Sequence, residues 1–488
     1  MWLAIVDTVL ATVEQVAWDL RAIADGAVQA WGEGRAELQL LGAETRGLRG
    51  RLLRAQKTGF MLARLAAGYR LFELRAAFVS ERRRNAMLEA LHERSAQSFY
   101  QTCVEQGGAF LKVGQLLSAR ADLLPEVWVR ELSRLQDAAS EVPIEHVRDT
   151  IERELGATLP GLFVSFTTEP LAAASIGQVH VAVTHSDETV AVKVQRPDIE
   201  AIVEQDLDLL GLFVEGLRGS LPPADYETIV EEIRSAVRSE LDYAEEAHAT
   251  EHMAQAFQDV PGVLVPRPLP ELCSPAVLTT TFMAGRKITL VLDELRARRD
   301  GGDATAHAHL SDILGRLLQV YLRQILLLGT FQADPHPGNF LVTDDGQLVL
   351  LDFGCTKELG EETRKRYLAL LRAFLARDEP RMTELFAELG FATRSGDPAT
   401  LHAFTRALLG ELAGIARGGR IEWPERDAVI ERAATLLRAQ ADDPVVTLPG
   451  EFVMLARVFG TLSGLFAHYR PDIDPVRHVL PVLAAALA

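Results

Sequence analysis

Two short apolar runs, Phe340-Leu341-Val342-Thr343 and Gln347-Leu348-Val349-Leu350-Leu351-Asp352-Phe353, flank the turn Asp344-Asp345-Gly346. Asp-Gly between β-prone runs is a hairpin signal, so this stretch predicts a strand pair. Polar residues stand at both ends of the pair. Upstream is Phe331-Gln332-Ala333-Asp334-Pro335-His336-Pro337-Gly338-Asn339, with Asp334 and Asn339 five positions apart. Downstream, after twelve intervening residues, comes Asp352-Phe353-Gly354. The pattern specifies chemistry as well as fold.

Residues 1–95 read as helical, with few turn signals beyond Gly26, Gly32, Gly34 and Gly47. A second helical block covers 96–140 and carries Lys112-Val113-Gly114-Gln115 before Glu141-Val142-Pro143 breaks the pattern. From Phe163 the texture changes to strand-like runs, with a turn at Asp187-Glu188. Tyr226 to Phe257 has apolar residues at helical spacing and predicts one long helix. Strands around Val263–Val265 and Ala276–Phe282 complete a small sheet with that helix. The rest is mainly helical, with Leu310 to Leu328 leading into the Asp334 loop and later breaks at Gly390, Gly418-Gly419, Pro424, Pro449 and Pro471. The resulting division is 1–95, 96–140, 141–283, 284–388 and 389–488.

The chain of 488 residues is 48% hydrophobic, enough for substantial cores. Its net charge of −18 argues against a nucleic-acid partner. Three cysteines, Cys103, Cys273 and Cys355, have no ligand spacing and fit a reducing compartment. The first twenty residues carry Asp7, Glu14 and Asp19 and no basic leader, so they read as an amphipathic helix rather than a signal peptide. No apolar run approaches the ~20 residues that span a bilayer. The expectation is a cytoplasmic protein, with peripheral attachment to the inner face of a membrane through one segment. That segment runs from Arg46 to Arg84, where eleven Lys/Arg face only Glu73 and Glu81 and are interleaved with Phe60, Leu65, Tyr69, Leu71 and Phe72. A basic amphipathic helix suits an anionic membrane surface; a solvated basic face on an ordinary helix is the other reading.

Lys193 lies in the alternating strand Val190-Ala191-Val192-Lys193-Val194. The helix that follows supplies Glu240, Asp242, Glu245 and Glu246. At about 100° per residue Asp242 and Glu246 share a helical face, whereas Glu240 and Glu246 lie about 120° apart. Before the lysine strand stands Ala172-Ala173-Ala174-Ser175-Ile176-Gly177. Alanine disfavours positive φ, so this loop is stiffer than a glycine-rich one.

The block from Asp334 to Asp352 resembles the phosphoryl-transfer site of protein kinases. That resemblance implies Asp334 facing a substrate hydroxyl, with Asn339 and Asp352 holding magnesium ions. Taken in order, Lys112-Val113-Gly114-Gln115, the alanine-rich loop, Glu240-Leu241-Asp242 and the Asp334–Asp352 block resemble the UbiB/ADCK family of atypical kinase-like proteins over about residues 100–360. The implied fold is α+β, a two-lobed protein-kinase-like domain with a helical N-terminal extension and a helical C-terminal region. The implied cofactors are ATP and Mg2+, with Lys193 paired to Glu246 and Asp334 as the catalytic carboxylate. Ala172, Ala173, Ala174, Ser175, Gly177, Lys193, Thr281 and Met283 would line the nucleotide, and Lys112 and Gln115 would fold back near Glu240 and Asp242. The implied activity is an ATPase or small-molecule kinase linked to isoprenoid quinone lipids, with a quinone precursor and quinone-biosynthesis proteins as partners. A nucleotide-gated scaffold without turnover and a protein kinase acting in trans are the alternatives.

Gln332 stands where a histidine commonly precedes Ala-Asp-Pro in that family, and Thr281 where its hinge usually has glutamate. His336, between two prolines, is expected to brace the loop. Asp334 is the better base, because a carboxylate orients a hydroxyl without a shifted pKa. Gly114, costing about 1 kcal/mol in a helix, suggests close approach of another backbone.

Overall fold

The computed structural model describes residues 57–114 with gaps, 125–137, 141–217 except 174 and 175, isolated positions in 231–238, 240–393, and 445–487 except 448, together with residues 397 and 402. The first 56 residues, Lys112 and Gln115 lie outside the described set. The chain divides into two compact units, Met1–Ala244 with Glu271–Thr279, and Glu245–Pro270 with Thr280–Ala488.

The first unit opens with helical positions between 57 and 72, followed by α1 (Glu81–Gln106) and α2 (Glu126–Leu132). Aromatic packing joins them: the Phe99 ring lies 6.2 Å from Phe110 and 5.7 Å from Trp128. A Cβ at Gly114 would strike Leu135 Cδ1 and sit 3.0 Å from Cys103 Sγ. The expected backbone neighbour is therefore corrected: two side chains enforce this glycine. In α3 (Ile144–Leu155) the buried residues Val147, Thr150 and Ile151 recur at helical spacing, and Gly156 ends the helix at φ 68°.

The sheet of this unit runs β1 (Phe163–Phe166), β3 (Gly177–Thr184), β4 (Thr189–Gln195), β6 (Val277–Thr281), with the two-residue β2 (Ala172–Ala173) paired to β3. Strand period 2 buries Val190, Val192 and Val194 of β4 on one face, so Lys193 points to the other. Asp187, at φ 62°, makes the turn between β3 and β4 where the sequence places it. Within α4 (Ile199–Leu217), Glu204 binds both Arg234 (3.3 Å) and Arg238 (2.6 Å).

The expected long helix is interrupted. Glu240 and Leu241 form a turn, Asp242 is non-helical, and α5 begins afresh at Tyr243 and runs to Phe257. The Asp242 carboxylate accepts the Ala244 amide at 2.9 Å, while Gln195 Nε2 donates to Leu241 O at 2.5 Å and Pro275 O at 3.1 Å. Side-chain partners thus outcompete helical continuation. Asp242 and Glu246 accordingly do not share one helical face.

In the second unit, β5 (Val263–Leu264) pairs in parallel with β10 (Leu348–Leu350), within the order β5-β10-β9-β7 that includes β9 (Phe340–Val342) and β7 (Arg286–Lys287). This corrects the assignment of Val263–Val265 to the lysine-strand sheet; parallel pairing across so long a separation leaves no local turn signal. The β9–β10 hairpin forms around Gly346, at φ 80°. Next to this sheet lie α6 (Ile288–Asp300) and α7 (Ala304–Leu322), the latter capped by Asp303 accepting from Thr305 and Ala306 N–H. A wider helical turn, Arg323–Leu328, ends at Gly329, φ 72°. Arg364 satisfies its Leu326 and Leu327 carbonyls. From α8 (Glu361–Ala376) the chain passes to α9 (Glu379–Glu388), and Gly390 follows at φ 101°. Near the end, α10 (Gly450–Tyr469) places Leu455, Val458, Leu462 and Phe466 in the same core as α7.

Candidate active site

Strand β8 (Thr330–Gln332) carries the chain into the Asp334 loop and pairs with β11 (Thr356–Glu358), which follows Asp352-Phe353-Gly354. Two further bonds stitch the segments: Ala333 N–H to Cys355 O at 2.7 Å, and Leu351 N–H to Asn339 O at 3.0 Å. Phe353, 2% exposed, anchors the second segment in the core. The sequence-predicted Asp334, Asn339 and Asp352 are therefore carried on neighbouring, hydrogen-bonded backbone.

Side-chain amides hold this loop. Asn339 Nδ2 donates to Asp334 O at 3.2 Å. Gln332, fully buried, donates from Nε2 to the same oxygen at 2.6 Å, and its Oε1 accepts the Tyr321 hydroxyl at 2.6 Å. Its backbone N–H reaches Gln324 Oε1 at 2.8 Å. Burial pushes the Tyr321 phenol well up, aided by the nearby Asp334, Cys355 and Asp352, so this hydroxyl stays a donor. His336 Nδ1 accepts the Gly338 amide at 3.1 Å, and His336 N–H donates to Asp334 O at 2.7 Å. The expected bracing role of His336 matches this geometry.

Asp352 Oδ1 accepts the Gly354 N–H at 2.9 Å. Glu246, 4% exposed, comes against the same glycine: a Cβ at Gly354 would sit 3.2 Å from Glu246 Oε2 and 3.4 Å from Asp352 Oδ1. Gly354 thus leaves room for two carboxylates to approach one backbone position. The donor set fits a hard divalent cation. Asp352 offers carboxylate oxygen, and the Asn339 amide, with its NH2 on Asp334 O, offers its carbonyl at the other end. No cluster of three or more His, Cys, Asp or Glu that could hold a metal occurs among the described residues. Magnesium needs none, since it takes one or two protein oxygens and completes its shell with phosphate and water.

The remaining predicted residues fall in the first unit, apart from Thr281 and Met283. Lys193 faces Val179 across the β3–β4 ladder, and its ammonium lies over the Tyr243 ring, 4.8 Å from the centroid. Ala172 and Ala173 are paired strand residues opposite Val179 and Gln178. Ala174 and Ser175 lie outside the described residues. A Cβ at Gly177 would sit 2.5 Å from both Tyr243 Oη and Val194 O. Glu240 and Asp242 flank the turn that leads into Tyr243. In the second unit, Thr281 turns its hydroxyl to the Arg267 amide at 2.9 Å and returns its own N–H to Arg267 O, while Met283 is half-buried. Threonine at this position therefore serves a local backbone bracket.

Sequence reasoning did not single out Tyr243, and it met Gln332 only as a departure from a pattern. For Tyr243 the one signal is an aromatic residue directly after the acidic triplet. For Gln332 it is an amide side chain at the end of a short strand, directly before Ala333-Asp334.

Residues 134–386 match the ABC1 atypical kinase-like domain. Protein ACTIVITY OF BC1 COMPLEX KINASE 7, chloroplastic, of Arabidopsis thaliana is 32% identical over 78% of this chain and 53% of its own length. AarF domain-containing protein kinase 1 of Gallus gallus is 34% identical over 62% of this chain and 57% of its own. An uncharacterized protein of Synechocystis is 30% identical over 86% of this chain and 74% of its own. The chain thus spans about half the length of the plant and chicken relatives. Among solved structures, Rv3197 of Mycobacterium tuberculosis, in a complex with erythromycin, superposes with a TM-score of 0.56 at 22% identity, covering 81% of this chain and 98% of the other. The expected α+β kinase-like fold is borne out.

Proposed function

The chain belongs to the ABC1 atypical kinase-like family, the UbiB/ADCK group, and from that premise we propose that it is a magnesium- and ATP-dependent phosphotransferase or ATPase. The observation that carries this reading is the Asp334 loop. A buried glutamine and an asparagine converge on the Asp334 carbonyl, fixing the carboxylate-bearing backbone beside the Asp352 segment. Such pre-positioning is what phosphoryl transfer demands of a protein, because the reaction needs orientation and charge compensation more than covalent help. Bound Mg2+-ATP would supply the transferable phosphoryl group and neutralise its developing charge. Asp334 would orient the attacking hydroxyl or water, Asn339 and Asp352 would hold the metal, and Lys193, which the family resemblance pairs with Glu246, would meet the phosphates. Lys112 and Gln115 would guard the entrance near Glu240 and Asp242, disfavouring protein substrates in trans.

The test is ATP hydrolysis by the wild-type protein and Asp352→Asn, with and without anionic liposomes. The expected result is wild-type turnover that the variant loses. Nucleotide binding without Asp352-dependent turnover in either condition overturns the enzyme and leaves the gated scaffold.

An observation in the first unit favours a lipid-linked acceptor. A groove of about 800 Å³ runs between the helical positions 57–72 and α1, floored by Leu65, Phe72, Met87 and Leu91 and edged by Arg64, Arg75, Arg83 and Arg94. Phe60 is 73% exposed and Leu71 46%. Apolar floor and cationic rim complement an anionic lipid at a membrane surface. No helix among the described residues is long and apolar enough to cross a membrane. The reading is of a peripheral enzyme acting on an isoprenoid quinone precursor, in company with other quinone-biosynthesis proteins. Flotation with phosphatidylglycerol vesicles should fall when Arg64 and Arg94 become glutamate; undiminished flotation removes the groove from the function.

A further inference from the structure

Tyr243 touches two functional elements at once. Its ring lies under the Lys193 ammonium, 4.8 Å from the centroid. Its hydroxyl oxygen lies 2.5 Å from where a Cβ of Gly177 would be, the only glycine of the alanine-rich loop. The side chain is fully buried, and its backbone is held by a bond from Tyr243 N–H to Pro275 O at 2.9 Å. Just before it, Gln195 ties Leu241 to the end of the lysine strand. The loop is closed from its other side by Arg196 N–H to Ile176 O at 2.9 Å. A phenol in so fixed a frame has little rotational freedom, so ring and hydroxyl form a rigid spacer between the loop and the lysine.

This changes the meaning of Gly177. In a phosphate-wrapping loop a glycine supplies conformational freedom. Here Gly177 is a paired strand residue opposite Gln195, and it is small because Tyr243 and the Val194 carbonyl occupy the space of a side chain. A loop built from alanines cannot adapt to a nucleotide as a glycine loop does, so the phosphate-binding ammonium has to be placed in advance.

We infer that Tyr243 is a positioning residue for nucleotide phosphate, holding the Lys193 ammonium by its ring face. The inference rests on the nucleotide reading above. A desolvated cation–π contact contributes about 2 kcal/mol, so removing the ring should weaken ATP binding by roughly 10-fold to 30-fold.

The test is titration of ATP and of adenosine into the wild-type chain, Tyr243→Phe, Tyr243→Leu, Lys193→Ala and the Lys193→Ala/Tyr243→Leu double variant. Tyr243→Leu should weaken ATP binding by that factor and leave adenosine within about 2-fold, because only ATP carries the phosphates that Lys193 meets. Tyr243→Phe should retain most ATP affinity, and the double variant should bind no more weakly than Lys193→Ala alone. Equal losses for ATP and adenosine, or losses that multiply in the double variant, overturn the inference. Should Tyr243→Leu fail to fold, fluorinated phenylalanines at position 243 keep the shape and drain the ring face. A stepwise fall in ATP affinity with each fluorine supports the contact, and a flat series overturns it. A wild-type chain that binds neither ligand fails the nucleotide reading itself, which is distinct from a wild type that binds and a Tyr243→Leu variant that binds equally well.

Discussion

The Asp334 loop and the described ends of the alanine-rich loop, Ala172-Ala173 and Gly177, are both fixed in place, but by different forces. The Asp334 loop is held by directed hydrogen bonds, two side-chain amides and one histidine N–H converging on a single carbonyl. Ala172 and Ala173 are held by strand pairing, and Gly177 by strand pairing and the bulk of Tyr243. A polar network demands particular residue types at fixed offsets, whereas a steric brace demands only that something large meet something small. The first kind of rigidity therefore leaves a motif, and the second does not.

Substitutions can break this contrast, beginning with the largest effect. Asp352→Asn should reduce ATP turnover by about 100-fold or more while nucleotide still binds; steady-state hydrolysis and nucleotide titration on the same sample check it. Gln332→Leu comes next. It leaves the buried Tyr321 hydroxyl without its Gln332 partner and removes one of three donors to the Asp334 carbonyl, and should cost about 1–3 kcal/mol in urea unfolding. An unchanged midpoint would mean that the amide network does not hold the loop. On the steric side, Gly177→Ala should cost about 1–3 kcal/mol through overpacking against Tyr243 and Val194. Gly346→Ala is the control, where only positive φ is at issue and about 1 kcal/mol is expected. A smaller loss at Gly177 than at Gly346 would remove the brace.

The smallest effect expected is in acid. His180 Nδ1 faces Thr167 O at 2.8 Å, so that nitrogen carries the proton, and Nε2 accepts from Gln178 Nε2 at 2.9 Å. The Gln178 amide is fixed by Val142, whose N–H it accepts at 2.7 Å and whose carbonyl it reaches at 3.1 Å. Protonating His180 would set donor against donor. Burial holds its pKa below the ordinary value, despite opposing contributions from Thr167 and Glu141. The unfolded chain therefore takes up this proton first, at about pH 6.5. The stability contributed by neutral His180 is complete above that pH and is lost as pH falls toward the folded value. Urea midpoints at pH 7.5 and 5.5 should differ by less in His180→Asn than in the wild type.

The hairpin around Gly346 was legible because turn chemistry is local, and so were the Asp187 turn and the strand alternation of β4. The break before Tyr243 was not, because the partner of Leu241 is Gln195, far away in the chain. Partnership of Val263 with Leu348 was hidden for the same reason. The expected neighbour of Gly114 was right in kind and wrong in identity, since helical spacing announces a close approach but not what approaches. Lys112 and Gln115, on which the proposed guarding of the entrance depends, lie outside the described residues.

By itself the sequence determined residue types and their spacing: carboxylates and an amide at the two ends of one hairpin, a lysine on an alternating strand, and a basic segment interleaved with apolar residues. Both are local and survive without coordinates. Only the tertiary structure decided what holds them. Gln332 became the keystone of the Asp334 loop, Gly354 the gap that admits Glu246, and Tyr243 the spacer between lysine and loop. Each depends on residues distant in sequence meeting at van der Waals or hydrogen-bond range, and no local pattern encodes that distance.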